Sequence, residues 1–360
     1  MNKNIKITFA MIVLNGEPFI RYNLRSLYPF AHEIIIVEGA CRTAASIATP
    51  DGHSKDGTLE ILKEFKSNED PENKITIVTA AEEGYKDGFW PEKDEMCAAF
   101  AKRITGNYLW CVDHDEFYRK EDMEKTIKLL NGDYDELSFE ALIYFGCSEY
   151  IIDGGIPQWD KELIRLFKWE KGYTFTSHRP PTVLDRTGLD LRRKRWLKAR
   201  DLRKLGVFIY HYSLLFPKQA YEKVSYYKMP DPAKRKAGGG FRPRVELWYR
   251  DVYKTLRHPY HVFQDYDPIC WLRRFRGSHP EQFMLMMNDI KTGVIDVELR
   301  KCNDIENILR SPLYCFSTVY IKTYHWLINT SAGKHIEYFF KLLPYVPNGI
   351  WKRIKRVLHK

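Results

Sequence analysis

The residues best placed to do chemistry fall in one stretch, Asn107 to Tyr118, which reads Asn-Tyr-Leu-Trp-Cys-Val-Asp-His-Asp-Glu-Phe-Tyr. Tyr108 to Val112 are apolar or aromatic without interruption, the pattern of a strand buried on both faces. Polarity then flips, with Asp113, Asp115 and Glu116 arriving within four residues. Alternate residues of an extended segment point the same way, so Asp113 and Asp115 can present two carboxylates to one cation. Oxygen ligands of this kind suit Mg²⁺ or Mn²⁺, usually shared with substrate phosphates. An acidic turn ahead of a helix is the plainer alternative, since Glu121 and Asp122 would also suit a helix N-terminus.

The elements that must position these carboxylates follow from the apolar pattern. Residues 5–14 form a strand, Glu17-Pro18 opens a helix to about Leu27, and Glu33–Val37 is a second buried strand ending at Glu38-Gly39. A polar loop runs to His53, and Ser54-Lys55-Asp56-Gly57-Thr58 leads into a helix through about Phe65. Lys74–Val78 is a third strand, and a helix over 93–105 feeds the strand that ends at Asp113. Strands alternating with helices predict a doubly wound, mostly parallel sheet, with ligands bound outside the carboxyl ends of its strands. Beyond a helix at Met123–Leu130 the expectation is mixed, with strands at Leu137–Tyr144, Leu163–Trp169 and Val207–Tyr212. Residues 231–244, rich in Pro, Gly and cations, read as a linker.

The chain has 360 residues, long for one core, and 44% hydrophobic residues, enough to fold. Seven cysteines without a Cys-x-x-Cys pair fit a reducing compartment better than a disulfide framework or a zinc site. The apolar N-terminus is broken by Lys6 and Thr8 and reads as a core strand instead of a leader. No uncharged apolar run reaches membrane-spanning length. The net charge of +10 is uneven: residues 1–150 carry 17 Lys+Arg against 27 Asp+Glu, and residues 151–360 carry 40 against 20. An acidic half that could hold metal and a basic half that could face anions are implied. The last segment, 350–360, sets Ile350, Trp351, Ile354, Val357 and Leu358 against cations, as in an interfacial membrane helix or a basic helix docked on the protein.

Met-Ile-Val-Leu-Asn-Gly-Glu at 11–17, Glu-Ile-Ile-Ile-Val-Glu-Gly at 33–39, Ser-Lys-Asp-Gly-Thr at 54–58, and Lys93-Asp94 ahead of Asp-His-Asp-Glu-Phe at 113–117 occur in one order. In that order the chain resembles glycosyltransferase family 2 and its GT-A relatives, well over residues 5–130 and thinly beyond. The resemblance implies a GT-A nucleotide-diphospho-sugar transferase domain over 1–215, with a donor half at 1–130 and an acceptor half at 131–215. A linker at 216–244 and a mainly helical, basic region at 245–360 would follow. It implies transfer of one sugar from a nucleoside diphosphate sugar to a hydroxyl acceptor, inverting and non-processive, with Mn²⁺ or Mg²⁺ as cofactor. Leu14, Asn15, Glu17, Glu38, Asp56, Lys93 and Asp113 would line the donor nucleotide, with Asp56 equally suited to capping the helix after it. Asp113, Asp115 and His211 would hold the metal. His178 leads the candidates for general base, with Asp153, Asp160 and Asp185 behind it, because Arg179 stands where similar enzymes place a Glu.

The basic half suggests an anionic or lipid-linked acceptor and a cytoplasmic protein at the inner face of a membrane. Nucleic acid is not an expected partner, since no recognition module is present. The Gln-x-x-Arg-Trp signature of processive synthases is absent. A nucleotidyl- or phosphotransferase would bring a Gly-rich phosphate loop, and none occurs. A binding protein on a transferase fold that has lost catalysis is the remaining alternative.

Overall fold

A computed structural model describes residues 4–154, 161–228, 248–262 and 270–319. The chain divides into two units, Met1–Cys302 and Asn303–Lys360. The first is a mixed α/β structure built on one large sheet with parallel and antiparallel portions. Its parallel portion is β1 (Ile7–Val13), β2 (Glu33–Glu38), β3 (Ile75–Thr79) and β4 (Tyr108–Cys111). All four contain the apolar runs read from the sequence, and β2 and β4 are buried almost throughout, because helices cover both faces of a parallel sheet. Pairing turns antiparallel at β8 (Glu162–Lys168), which joins β4 to β6 (Glu136–Phe145), followed by β7 (Cys147–Gly154).

The helices that carry the parallel portion are α1 (Ile20–Leu27), α2 (Thr58–Asn68), α3 (Lys93–Ala101) and α4 (Lys120–Leu130). In α1 the apolar residues Ile20, Leu24 and Leu27 recur at helical spacing and are buried, and Asn23 is buried among them. Trp110 of β4 anchors the layer beneath the acidic turn. Its ring stacks on Phe139 at 5.5 Å and meets Tyr118 edge-on, while Nε1 donates to the Tyr118 hydroxyl at 3.1 Å.

Several short elements carried no recognisable pattern. They are β5 (Glu116–Phe117), the hairpin of β9 (Thr174–His178) and β10 (Pro181–Leu184), β11 (Trp196–Leu197) and α5 (Ala199–Lys204). The strand expected near 207–212 is β12 (Ile209–Leu214), followed by α6 (Pro217–Lys228). After residue 245, where a mainly helical region was expected, β13 (Cys270–Arg274) pairs antiparallel with β7 and α7 (Glu281–Lys291) lies against α1. In the second unit α8 spans Asn303–Arg310. The expected linker at 231–244 and the basic segment at 350–360 lie outside the described residues, as does Asp160. No described helix is long and apolar enough to cross a membrane.

The loop after β2 is ordered by close backbone packing. Gly52 and Gly88 both adopt positive φ, and a Cβ on Gly52 would lie 2.1 Å from the Gly88 carbonyl oxygen and one on Gly88 2.1 Å from that of Asp51. Glycine is required at both positions.

One buried carboxyl has no hydrogen-bond partner at either oxygen. It belongs to Glu136, which is fully buried, and burial pushes its pKa up to about 8. Its folded value lies above the unfolded 4.5, so this group's stabilising contribution is complete below about pH 4.5 and is lost as pH rises toward 8. Glu136→Gln is expected to stabilise the protein at pH 8 by roughly 1–3 kcal/mol, with the gain shrinking at pH 5. Urea midpoints at the two pH values check this, and an equal difference at both would contradict it.

Candidate functional site

The carboxyl ends of β1, β2 and β4 open into a cavity of about 640 Å³. Leu14, Asn15, Glu17, Asp56, Lys93, Asp113, Asp115 and His178 all line it, so eight sequence candidates drawn from five separate stretches converge. Arg179, Lys218, Gln219, Glu222 and Lys223 add further polar groups, and Ile295 to Glu298 form part of the wall.

The acidic turn is built by residues the motifs did not include. Buried Asn23 of α1 donates from Nδ2 to the carbonyls of His114 at 3.1 Å and Glu116 at 2.6 Å, and to that of Asp113 at 3.4 Å. Arg165 of β8 lies beneath the turn at 6% exposure. Its Nη2 donates to Asp113 Oδ2 at 2.7 Å and its Nε to Glu116 Oε2 at 2.9 Å, with a further Nη2 bond to Glu116 Oε1. Burial works against the charge on Asp113, but Arg165 prevails and holds its carboxyl below the ordinary carboxylate range. Glu116 is pushed up by burial despite Arg165, so it belongs to this internal ion network and does not line the cavity.

Asp115 sits opposite. Antiparallel pairing of β5 with β12 sets His211 beside Glu116, and the Tyr212 N–H donates to the Asp115 carbonyl at 2.9 Å. That register brings His211 Nε2 to 3.5 Å from Asp115 Oδ1, while Lys223 Nζ stands 3.5 Å and Gln219 Nε2 3.2 Å from Oδ2. Asp115 is 4% exposed, and against its burial Lys223 and His211 hold the carboxyl well below the usual range. Both His211 ring nitrogens are buried without a hydrogen-bond partner. An imidazole with unused nitrogens beside a carboxylate is a donor pair that suits Mn²⁺, so Asp115 and His211 fit the expected cation. Among the described residues no group of three or more His, Cys, Asp or Glu is assembled for a metal. Remaining ligands would come from substrate oxygens or water.

The donor-side residues divide by role. Asn15, at φ 54°, uses its whole side chain to tie the loop after β2, donating to the Ile47 carbonyl at 2.9 Å and accepting from the Lys55 N–H at 2.8 Å. Asp56 accepts from the Glu17 N–H at 2.9 Å and from the Thr58 N–H and hydroxyl, the structural role the sequence allowed it. Glu38 differs from expectation: it is 0% exposed, does not line the cavity, and accepts from the Ser54 N–H and hydroxyl and from His53. Glu38 thus closes the loop after β2 onto the strand end. Glu17 faces the cavity with Oε1 unpartnered, and burial together with Asp56 pushes its pKa up to about 7.

The base candidates are also placed. Asp185 is bound in a turn to Thr187, Leu189 and Lys194, away from the cavity, so it does not serve there. Asp153 pairs with Arg273 at 3.1 Å. His178 reaches the cavity, but burial, with Lys93 nearby, pushes its pKa down to about 3. The Cys97 thiol, kept protonated by burial, lies 3.7 Å from His178 Nδ1, and where it donates to that nitrogen the ring proton sits on Nε2. Nε2 is buried and unpartnered, so in that tautomer the ring offers an N–H to a ligand oxygen, and its lowered pKa makes it a poor proton acceptor.

No family model matches the chain, and no curated protein matches it. Solved structures do. Staphylococcus aureus TarS 1–349 in complex with UDP-GlcNAc is 16% identical at TM-score 0.30, the match covering 39% of this chain and 36% of TarS. Mycobacterium tuberculosis glucosyl-3-phosphoglycerate synthase with Mn²⁺, UDP and glucosyl-3-phosphoglycerate is 15% identical at 0.28, covering 40% and 46%. The Pyrobaculum calidifontis mannosyltransferase PcManGT with GDP-Man and Mn²⁺ is 13% identical at 0.37, covering 69% and 71%. The chain spans little more than a third of the TarS length it matches. Overlaps of this extent carry no argument about activity, which has to come from the cavity.

Proposed function

We propose that the chain is a metal-dependent glycosyltransferase that moves a sugar from a nucleoside diphosphate sugar to a hydroxyl acceptor, inverting and non-processive. The observation that carries this reading is Asp115, which lines a cavity outside parallel strands and stands 3.5 Å from His211, whose ring nitrogens make no hydrogen bond. Ligands bind at that edge of an open α/β sheet. A divalent ion held by Asp115 and His211 would supply neutralising charge to a leaving diphosphate. Lys93, Arg179 and Lys223 give the same cavity the cations a diphosphate needs, and His178 Nε2–H can hold an acceptor or phosphate oxygen. Asp113, fixed by Arg165, faces the ribose or the metal's water shell. Leu14, Ile47 and Ala44 supply an apolar surface for the base. An anionic or lipid-linked acceptor agrees with the basic second half, and contact of 350–360 with an anionic membrane agrees with its cations.

A second reading, a sugar-nucleotide binding protein without turnover, draws on one observation. Among the described candidates for general base, none is a carboxylate facing the cavity or a histidine that titrates near neutrality. Incubation with UDP- and GDP-sugars and Mn²⁺ distinguishes the two. Release of free nucleoside diphosphate above the uncatalysed rate is expected, whereas tight binding without release would support the silent protein.

Glu17 adds a pH dependence. Its carboxyl is neutral below about pH 7 and ionises above, placing a negative charge beside an anionic donor. Affinity for a nucleoside diphosphate is expected to weaken a few-fold more between pH 6 and 8 in wild type than in Glu17→Gln. Titrations of both proteins cancel the nucleotide's own ionisation, and identical pH profiles would contradict the prediction.

A further inference from the structure

Asp115 is gripped by one face of α6. Gln219 and Lys223 stand four residues apart, so their side chains share that face, and both approach the same carboxylate oxygen, Oδ2. Gln219 is fixed in turn, its Oε1 accepting from the N–H groups of Leu215 and Phe216 at 3.3 and 3.4 Å. Oδ1 faces His211 Nε2 without a hydrogen bond. A carboxylate at 4% exposure needs compensating charge, and the ammonium of Lys223 supplies it where a metal would otherwise sit close by.

We propose that Lys223 is a resident counter-cation that keeps Asp115 closed to free divalent metal, and that it moves onto the diphosphate when a donor enters. The inference rests on the transferase reading and concerns the order in which that site is loaded. A divalent ion bound to Asp115 with Lys223 still in place would stand within a few ångströms of an ammonium, and the repulsion opposes binding of metal alone. A diphosphate changes the balance twice: it offers Lys223 a new anionic partner in the cavity that Lys223 already lines, and it brings oxygen ligands to the metal. Lys223 has a flexible four-carbon stem, so the exchange needs side-chain rotation and no movement of α6. Metal and nucleotide therefore strengthen each other's binding by the same factor.

The test is Mn²⁺ binding by the full chain, followed through the electron paramagnetic resonance signal of free Mn²⁺, alone and with saturating UDP or GDP. Wild type, Lys223→Met and Lys223→Gln are compared. Wild type is expected to bind Mn²⁺ weakly alone and far more tightly with nucleotide. Both variants should bind Mn²⁺ alone on the order of tenfold more tightly than wild type, with a smaller enhancement by nucleotide. Lys223→Gln retains a donor without the charge, so its agreement with Lys223→Met assigns the effect to charge. If Lys223→Gln behaves as wild type, or if both variants keep wild-type affinity for Mn²⁺ alone with full enhancement, the role of Lys223 is overturned and the transferase reading stands. No Mn²⁺ binding by any of the three, with nucleotide present, overturns both.

Discussion

Arg165→Met is expected to lower the melting temperature by roughly 5–10 °C, corresponding to about 3–5 kcal/mol. The guanidinium is buried and forks between Asp113 and Glu116, and both carboxylates depend on it. Removing one partner of a buried ionic network leaves the others desolvated without compensation, the costly way to break such a pair. Glu116, with no exposed surface, would be driven further toward its protonated form. A carboxyl whose folded pKa is raised loses stability as pH climbs through that value, so the deficit of Arg165→Met should be larger at pH 8 than at pH 5. Adding Glu116→Gln should recover part of it. Thermal melts of the single and double variants at both pH values decide the matter. A shift below about 2 °C, or no recovery in the double variant, would mean that the acidic turn stands without Arg165.

Asp115→Asn is expected to reduce metal-dependent nucleotide release by about a thousandfold or more, because it removes the one carboxylate that meets both His211 and the cavity. Asparagine has the same shape, and the Tyr212 N–H bonds to the main-chain carbonyl of residue 115, so the turn should survive. The release rate at saturating donor and Mn²⁺ measures the loss. Activity within tenfold of wild type would remove Asp115 from the chemistry.

The parallel portion was legible because its strands are buried on both faces and therefore read as unbroken apolar runs, as in Ile34–Val37 and Tyr108–Val112. Asp113 and Asp115 were legible because polarity changes abruptly where such a run ends. The rest of the site is built by long-range pairing that leaves no local trace. Arg165 sits in Glu-Leu-Ile-Arg-Leu-Phe-Lys, where a charge on a strand suggests a solvent-facing position, and only the pairing of β8 with β4 turns it beneath Asp113. Asn23 could have been noticed: a polar residue between Ile20 and Leu24 on the apolar face of α1 is out of place unless it has a partner. Glu38 stood at the expected place in the motif, but its carboxylate turns to His53 and Ser54, which lie 15 and 16 residues away and leave no local sign of that pairing. Lys223 and Gln219 lie on a helix whose pattern says nothing of the carboxylate it meets. The short strands β5, β9, β10 and β11 are two to five residues long, below the length at which a period can be read.

The most direct measurement is thermal melting of wild type and Asp115→Asn with a panel of nucleoside diphosphates, each with and without Mn²⁺. A ligand bound only by the folded state raises the midpoint by mass action, by about 2.7 kcal/mol at a hundredfold excess over Kd. A rise of several degrees is expected with at least one nucleotide, dependent on Mn²⁺ and absent in Asp115→Asn. No shift with any nucleotide, or an equal shift in the variant and without metal, would contradict it.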